Sequence, residues 1–153
     1  MLIRNMAANF KKLESVVIAV VLMVFSAAVI FALGVIHLIY TFWGSKLTPR
    51  DTALQIAMTQ ISPVLTKETT MWRAWVGFNA SHSMGAMLFG VIYGFLAIAH
   101  GQLLFQSWFL LATGLAMLGG LLVLGKAYWF SIPFTGIGVA LASFVVGIIA
   151  SRG

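Results

Sequence analysis

The sequence predicts an all-α fold, an integral membrane bundle of four transmembrane helices with one short amphipathic interfacial helix in its first loop. Three observations predict it. Apolar runs at 15–43, 70–99, 102–125 and 131–150 are each long enough to cross ~30 Å of hydrocarbon at 1.5 Å per residue. The chain is 61% hydrophobic and 8% charged, whereas roughly a quarter of the residues of a soluble domain are charged. The mean hydropathy of +1.05 agrees. Third, aromatic and basic residues gather at the ends of the runs, where they anchor spans to headgroups. About two-thirds of the 153 residues lie in the four spans and the rest in a short leader, one sizeable loop and brief connections, so 1–153 reads as a single membrane domain.

Residues 1–14 form a short basic leader, expected as an interfacial turn. The run that follows is nearly twice the length of a signal-peptide core and lacks a small-residue cleavage site, so span 1 (15–43) is expected to be retained. The loop helix is predicted over 49–61, with Thr48 as N-cap and Pro49 at the first helical position. Ala53, Ile56, Ala57 and Gln60 follow at helical spacing, and Ser62-Pro63 ends the segment. Such a helix lies on the membrane surface. Span 2 (70–99) opens with Trp72, Arg73 and Trp75 as an interfacial belt. Span 3 (102–125) exits at Lys126, Tyr128 and Trp129, and span 4 (131–150) tolerates Pro133 in its first turn.

Nine Lys/Arg against three acids give a net charge of +6, but the bases are scattered along the chain. That distribution suits lipid headgroups and excludes a nucleic-acid partner. Four spans put both termini on one side, with Arg4, Lys11, Lys12 and Arg152, against Lys46, Arg50, Lys67, Arg73 and Lys126 on the other. The two sets nearly balance. The first span usually dominates, which places the termini in the cytoplasm. No cysteine is present, which removes disulfides, thiolate metal sites and cysteine nucleophiles. Glu14, Asp51 and Glu68 all lie outside the spans, so paired-carboxylate catalysis has no members. A small multidrug-type exporter would carry an acid in its first span, and this chain carries none.

Helices in lipid pack through small residues. Span 2 holds two such stripes, Gly77-xxx-Ser81-xxx-Gly85 and Ala86-xxx-Gly90-xxx-Gly94, and should touch more than one neighbour. Span 3 offers Gly114, Gly119 and Gly120, and span 4 Gly138-xxx-Ala142 and Ser143-xxx-Gly147.

One polar knot, Asn79-Ala80-Ser81-His82-Ser83, interrupts span 2. Polar groups in hydrocarbon are costly and mark functional sites by default. Asn79, His82 and Ser83 are spaced i, i+3, i+4 and share a helical face. In span 1, His37 shares a face with Ser26, Gly34, Tyr40 and Thr41. Measured from the end bearing the long loop, His82 lies ~9 Å and His37 ~5 Å deep, so the two rings can meet if spans 1 and 2 are neighbours. A polar pocket is expected in that half, with a dry, glycine-packed half opposite. Its candidate ligand-binding residues are His37, Tyr40, Asn79, His82 and Ser83. Two facing histidines suit a haem, one suits a chlorophyll-type pigment or a quinone carbonyl, and a titrating histidine suits a proton relay. The plainer alternative is hydrogen bonding across helices that only fixes packing. No third ligand for a zinc ion is evident, and His100 reads as a solvated turn residue.

The run Trp75-Val76-Gly77-Phe78-Asn79-Ala80-Ser81-His82-Ser83-Met84-Gly85, with Gly34-Val35-Ile36-His37-Leu38 upstream, resembles a group of small bacterial four-span membrane proteins of unknown function. DoxX-like proteins are a looser analogy. The resemblance implies a four-helix fold in a bacterial cytoplasmic membrane and carries no activity. The expected function is therefore non-catalytic: binding a lipophilic ligand or cofactor between spans 1 and 2, or serving as an accessory subunit of a larger membrane complex or homo-oligomer. The alternative is a small transporter or proton-coupled permease that uses His82.

Overall fold

Long apolar segments with few helix breakers leave the backbone one way to satisfy its polar groups in lipid, the α-helix. The computed structural model, which describes residues 2–153, is all-helical accordingly. Its elements are α1 (Leu2–Phe42), α2 (Thr52–Gln60), α3 (Met71–Ala99), α4 (Gly101–Gln106), α5 (Trp108–Tyr128) and α6 (Ser131–Ala150). Four stretches are long and apolar enough to cross a membrane: Asn9–Phe42, Met71–Ala99, Trp108–Tyr128 and Ser131–Ala150. The chain is thus a multi-pass membrane protein, with the short α2 in its first loop.

Three boundaries differ from expectation. The leader is not an interfacial turn, because α1 begins at Leu2 and runs unbroken to Phe42. No Pro or Gly lies between residue 2 and Gly34 to stop it. The loop helix starts at Thr52 rather than at Pro49, since the Asp51 carboxylate accepts from the Ala53 N–H at 2.8 Å and takes the N-cap role assigned to Thr48. The Thr48 hydroxyl instead donates to Ser45 O within the loop. Span 3 does not begin at 102. Residues 101–106 form the separate helix α4, and Ser107, extended at φ −87° and ψ 103°, caps α5 by accepting from Leu110 N. Gln106 and Ser107 are the only polar residues across Leu103–Leu111, and so short a break in an apolar run does not by itself mark a cap in the sequence.

Contacts group 1–31 with 88–153 as one compact unit and 32–87 as another. In the first unit, Met23, Ile30, Leu104, Leu111, Leu118 and Phe144 are fully buried. A Cβ added at Gly90 would lie 2.6 Å from Phe31 Cβ and 2.7 Å from Ala27 O, so α1 and α3 cross there nearly backbone to backbone. At Gly114 an added Cβ would collide with the Phe144 ring. Tyr93 stacks on Phe89, meets Phe144 edge-on at 5.6 Å and donates its hydroxyl to Leu110 O at 2.7 Å. Helix α3 therefore touches α1, α5 and α6, the several neighbours its small residues predict. This half is not wholly apolar, since buried Ser26 donates to Ala140 O across the α1–α6 contact.

The second unit holds the C-terminal turns of α1, the loop with α2, and the first half of α3. Gly44, at φ +87°, turns the chain out of α1 in the left-handed region that glycine enters without cost.

Candidate functional site

Within the second unit, Gly34 sets the geometry. A Cβ there would lie 2.9 Å from Met87 Cγ, 3.0 Å from Ser83 O and 3.1 Å from Ala86 Cβ. The two helices are therefore in near contact one turn before His37, which brings that side chain against α3. His37 Nε2 lies 2.9 Å from Asn79 Oδ1. The Asn79 amide donates Nδ2–H to Trp75 O at 2.8 Å, so its oxygen is the side turned to His37 and accepts from Nε2–H. A neutral His37 in this tautomer keeps Nδ1 as an acceptor. The His82 ring meets His37 edge-on at 5.5 Å between centroids, and Phe78 lies parallel to His82 at 6.4 Å.

Each predicted residue takes a definite place. His37, Asn79 and His82 form one cluster. Ser83 is buried beside them, but its hydroxyl donates to Asn79 O in its own helix and is not turned to a ligand. Tyr40 lies one turn beyond His37 on α1. It is partly exposed and, with Thr41, lines a cavity of about 110 Å³ that Asn79 closes at its inner end and Trp72, Trp75, Leu47 and Thr48 wall on the outside. The Thr41 hydroxyl donates to His37 O and ties the last turn of α1 together. His100 is exposed at the start of α4, its ring edge-on to Phe95.

Sequence reasoning missed Trp75 as a structural pin. Its indole Nε1–H donates to Leu47 O at 3.0 Å and fastens the loop over the cavity. A tryptophan at a span end reads as an interfacial anchor, and nothing local says which carbonyl it will find. The turn at Gly44 could have been found, because a glycine one position past the C-cap, here Trp43, is a common helix-ending signal.

The arrangement limits the chemistry. A macrocycle between the helices at His37 and His82 would have to part them where Gly34 holds them in contact, and His37 Nε2 is already engaged by Asn79. The geometry favours recognition by hydrogen bonds through the Asn79 end of the cavity over bis-histidine haem ligation. About 110 Å³ is less than the ~150 Å³ that takes one benzene ring, so the cavity suits a small polar head or three to four waters at ~30 Å³ each. Among the described residues no group of three His, Cys, Asp or Glu could hold a metal ion. No known protein family, curated protein or solved structure matches the chain.

Proposed function

We propose that this membrane protein is non-catalytic and binds a lipophilic ligand at the loop-side ends of α1 and α3, a quinone or pigment that inserts a single carbonyl or hydroxyl while its ring stays outside the cavity. One observation carries the reading: the His37–Asn79–His82 cluster, set in otherwise apolar helices, opens through Asn79 onto an aromatic-walled cavity. Asn79 and Tyr40 would hold a carbonyl or hydroxyl, His37 would orient Asn79, and the ligand's tail would run into the bilayer. The setting we infer is a bacterial cytoplasmic membrane with both termini in the cytoplasm.

The test is an absorption spectrum and a lipid extract of the full chain purified gently from its native membrane, for the wild type and for His37→Ala, His82→Ala and Asn79→Ala. Loss of an enriched quinone or pigment band in the variants is the expected result. Full occupancy in all three would refute the site, as would a wild type with nothing enriched.

A second reading has its own support. Among the described residues, Gly77 and Gly85 on α3 and Gly119 and Gly120 on α5 have no neighbour within 4 Å of an added Cβ, so these small-residue surfaces are not used in the packing of the described helices. They suit an accessory subunit that packs against another span. Extraction in native nanodiscs should then recover a larger complex or a homo-oligomer, and a monomer there would refute it.

A further inference from the structure

On the far side of the Trp75–Leu47 pin lies a second, wider space. Lys46, Pro49, Leu54, Met58 and Trp75 enclose an open groove of about 460 Å³, within the range of ligand pockets, walled by the loop, α2 and the start of α3. It sits between the last residue of α1 and the first turns of α3, where the spans meet the headgroup layer, as the neighbouring Trp43, Trp72 and Tyr40 mark. The segment around it is apolar yet exposed: Leu54, Ile56, Ile61, Val64 and Leu65 all face outward although they lie outside the spans. In water that surface would be a liability, whereas at the acyl–headgroup boundary it is buried by lipid.

Charge decides which lipid. Lys46 is the one charged residue in the groove wall, and it forms no ion pair with any described residue. Arg50 stands beside Pro49, and the acid nearest in sequence, Asp51, has its carboxylate turned to the Ala53 N–H at the start of α2. A single cation above an apolar trough at headgroup depth is complementary to a phosphate that carries an uncompensated charge and an acyl chain.

We propose that this groove seats one anionic phospholipid, its phosphate against Lys46 and one chain along Leu54, Met58 and Trp75. The site is separate from the histidine cluster, and either reading can fail without the other.

The test is native mass spectrometry of the full chain in a non-ionic detergent, titrated with phosphatidylglycerol or phosphatidylcholine of identical chains. The first phosphatidylglycerol should bind about fivefold more tightly than phosphatidylcholine, the factor expected for one cation near a membrane surface. Lys46→Gln should abolish that preference. Lys46→Arg should keep it, as should Lys126→Gln, which removes a cation outside the groove. Excess inorganic phosphate should not displace the lipid. Equal binding of the two lipids, an unchanged preference in Lys46→Gln, or displacement by free phosphate would each overturn the proposal.

Discussion

Replacing Asn79 by Ala removes the side-chain oxygen that accepts from His37 Nε2–H, and the size of that loss can be worked out from the geometry. The bond is short at 2.9 Å, its amide is held by a second bond to Trp75 O, and Asn79 is only 6% exposed. Hydrogen bonds between helices in lipid average about 0.6 kcal/mol and reach about 1.7. Burial and the fixed amide argue for the upper part of that range. Water in the cavity that Asn79 closes would reach the vacated Nε2–H and argues for the lower part. About 1 kcal/mol is the expected coupling between the two residues, a factor of about five in stability. The assay is a double-mutant cycle on Asn79→Ala and His37→Ala, read by reversible unfolding in mixed micelles. Thr113→Ala, which removes a hydroxyl bonded within its own helix, serves as the uncoupled control. A coupling below about 0.3 kcal/mol, the scatter found between independent sites, would refute the view that this pair joins the helices.

Glycine positions should separate into two classes. Gly90→Ala forces a Cβ onto Phe31 and the Ala27 carbonyl and should cost about 1–3 kcal/mol as overpacking, whereas Gly119→Ala meets nothing and should be neutral or gain up to about 1 kcal/mol from helix propensity. Thermal unfolding of the two variants in one detergent checks the contrast, and equal costs would contradict the crossing seen at Gly90. Trp75→Phe keeps an aromatic wall but loses the donor to Leu47 O, so the loop at 44–49 should exchange its amides or be cut by protease faster while the helix content is unchanged. Unaltered exchange there would show that the pin does not hold the loop.

The helices were legible in the sequence because lipid leaves a backbone few choices, and hydropathy alone therefore finds Met71–Ala99 and Ser131–Ala150 almost to the residue. What composition cannot see is a break within an apolar run. Ser107 ends one helix and caps the next, but with Gln106 it makes only a two-residue polar break between apolar runs, so hydropathy reads 102–106 as part of span 3. The start of α2 went wrong for a related reason. Thr48-Pro49 and Asp51-Thr52 are both sound helix starts, and the choice between them rests on how the loop closes at Gly44 and Trp75. The meeting of His37 with Asn79 and His82 followed from helical spacing and depth. Tyr40 shows the limit of that reasoning: sharing a face with His37 placed it on the right helix and turn, but its place in the cavity wall beside Leu47 and Thr48 depends on the path of the loop.

The first helix sets a length against the bilayer. Its candidate span, Asn9–Phe42, which includes Lys11, Lys12 and Glu14 at its start, covers 34 residues, or about 51 Å at 1.5 Å per residue. Even inclined at ~40°, the upper end of what spans adopt, it would reach about 39 Å through a hydrocarbon layer ~30 Å thick. About eight residues thus have no place in the oil. Because Gly90 ties α1 to α3 at Ala27 and Phe31, the helix cannot slide along its partner to share the excess between its two ends. The surplus falls on the N-terminal side, where Phe10 and Leu13 are exposed beside Lys11 and Lys12. Membrane thickness then becomes a variable that this chain registers: a thicker bilayer draws those side chains into oil, and a thinner one leaves them among the headgroups.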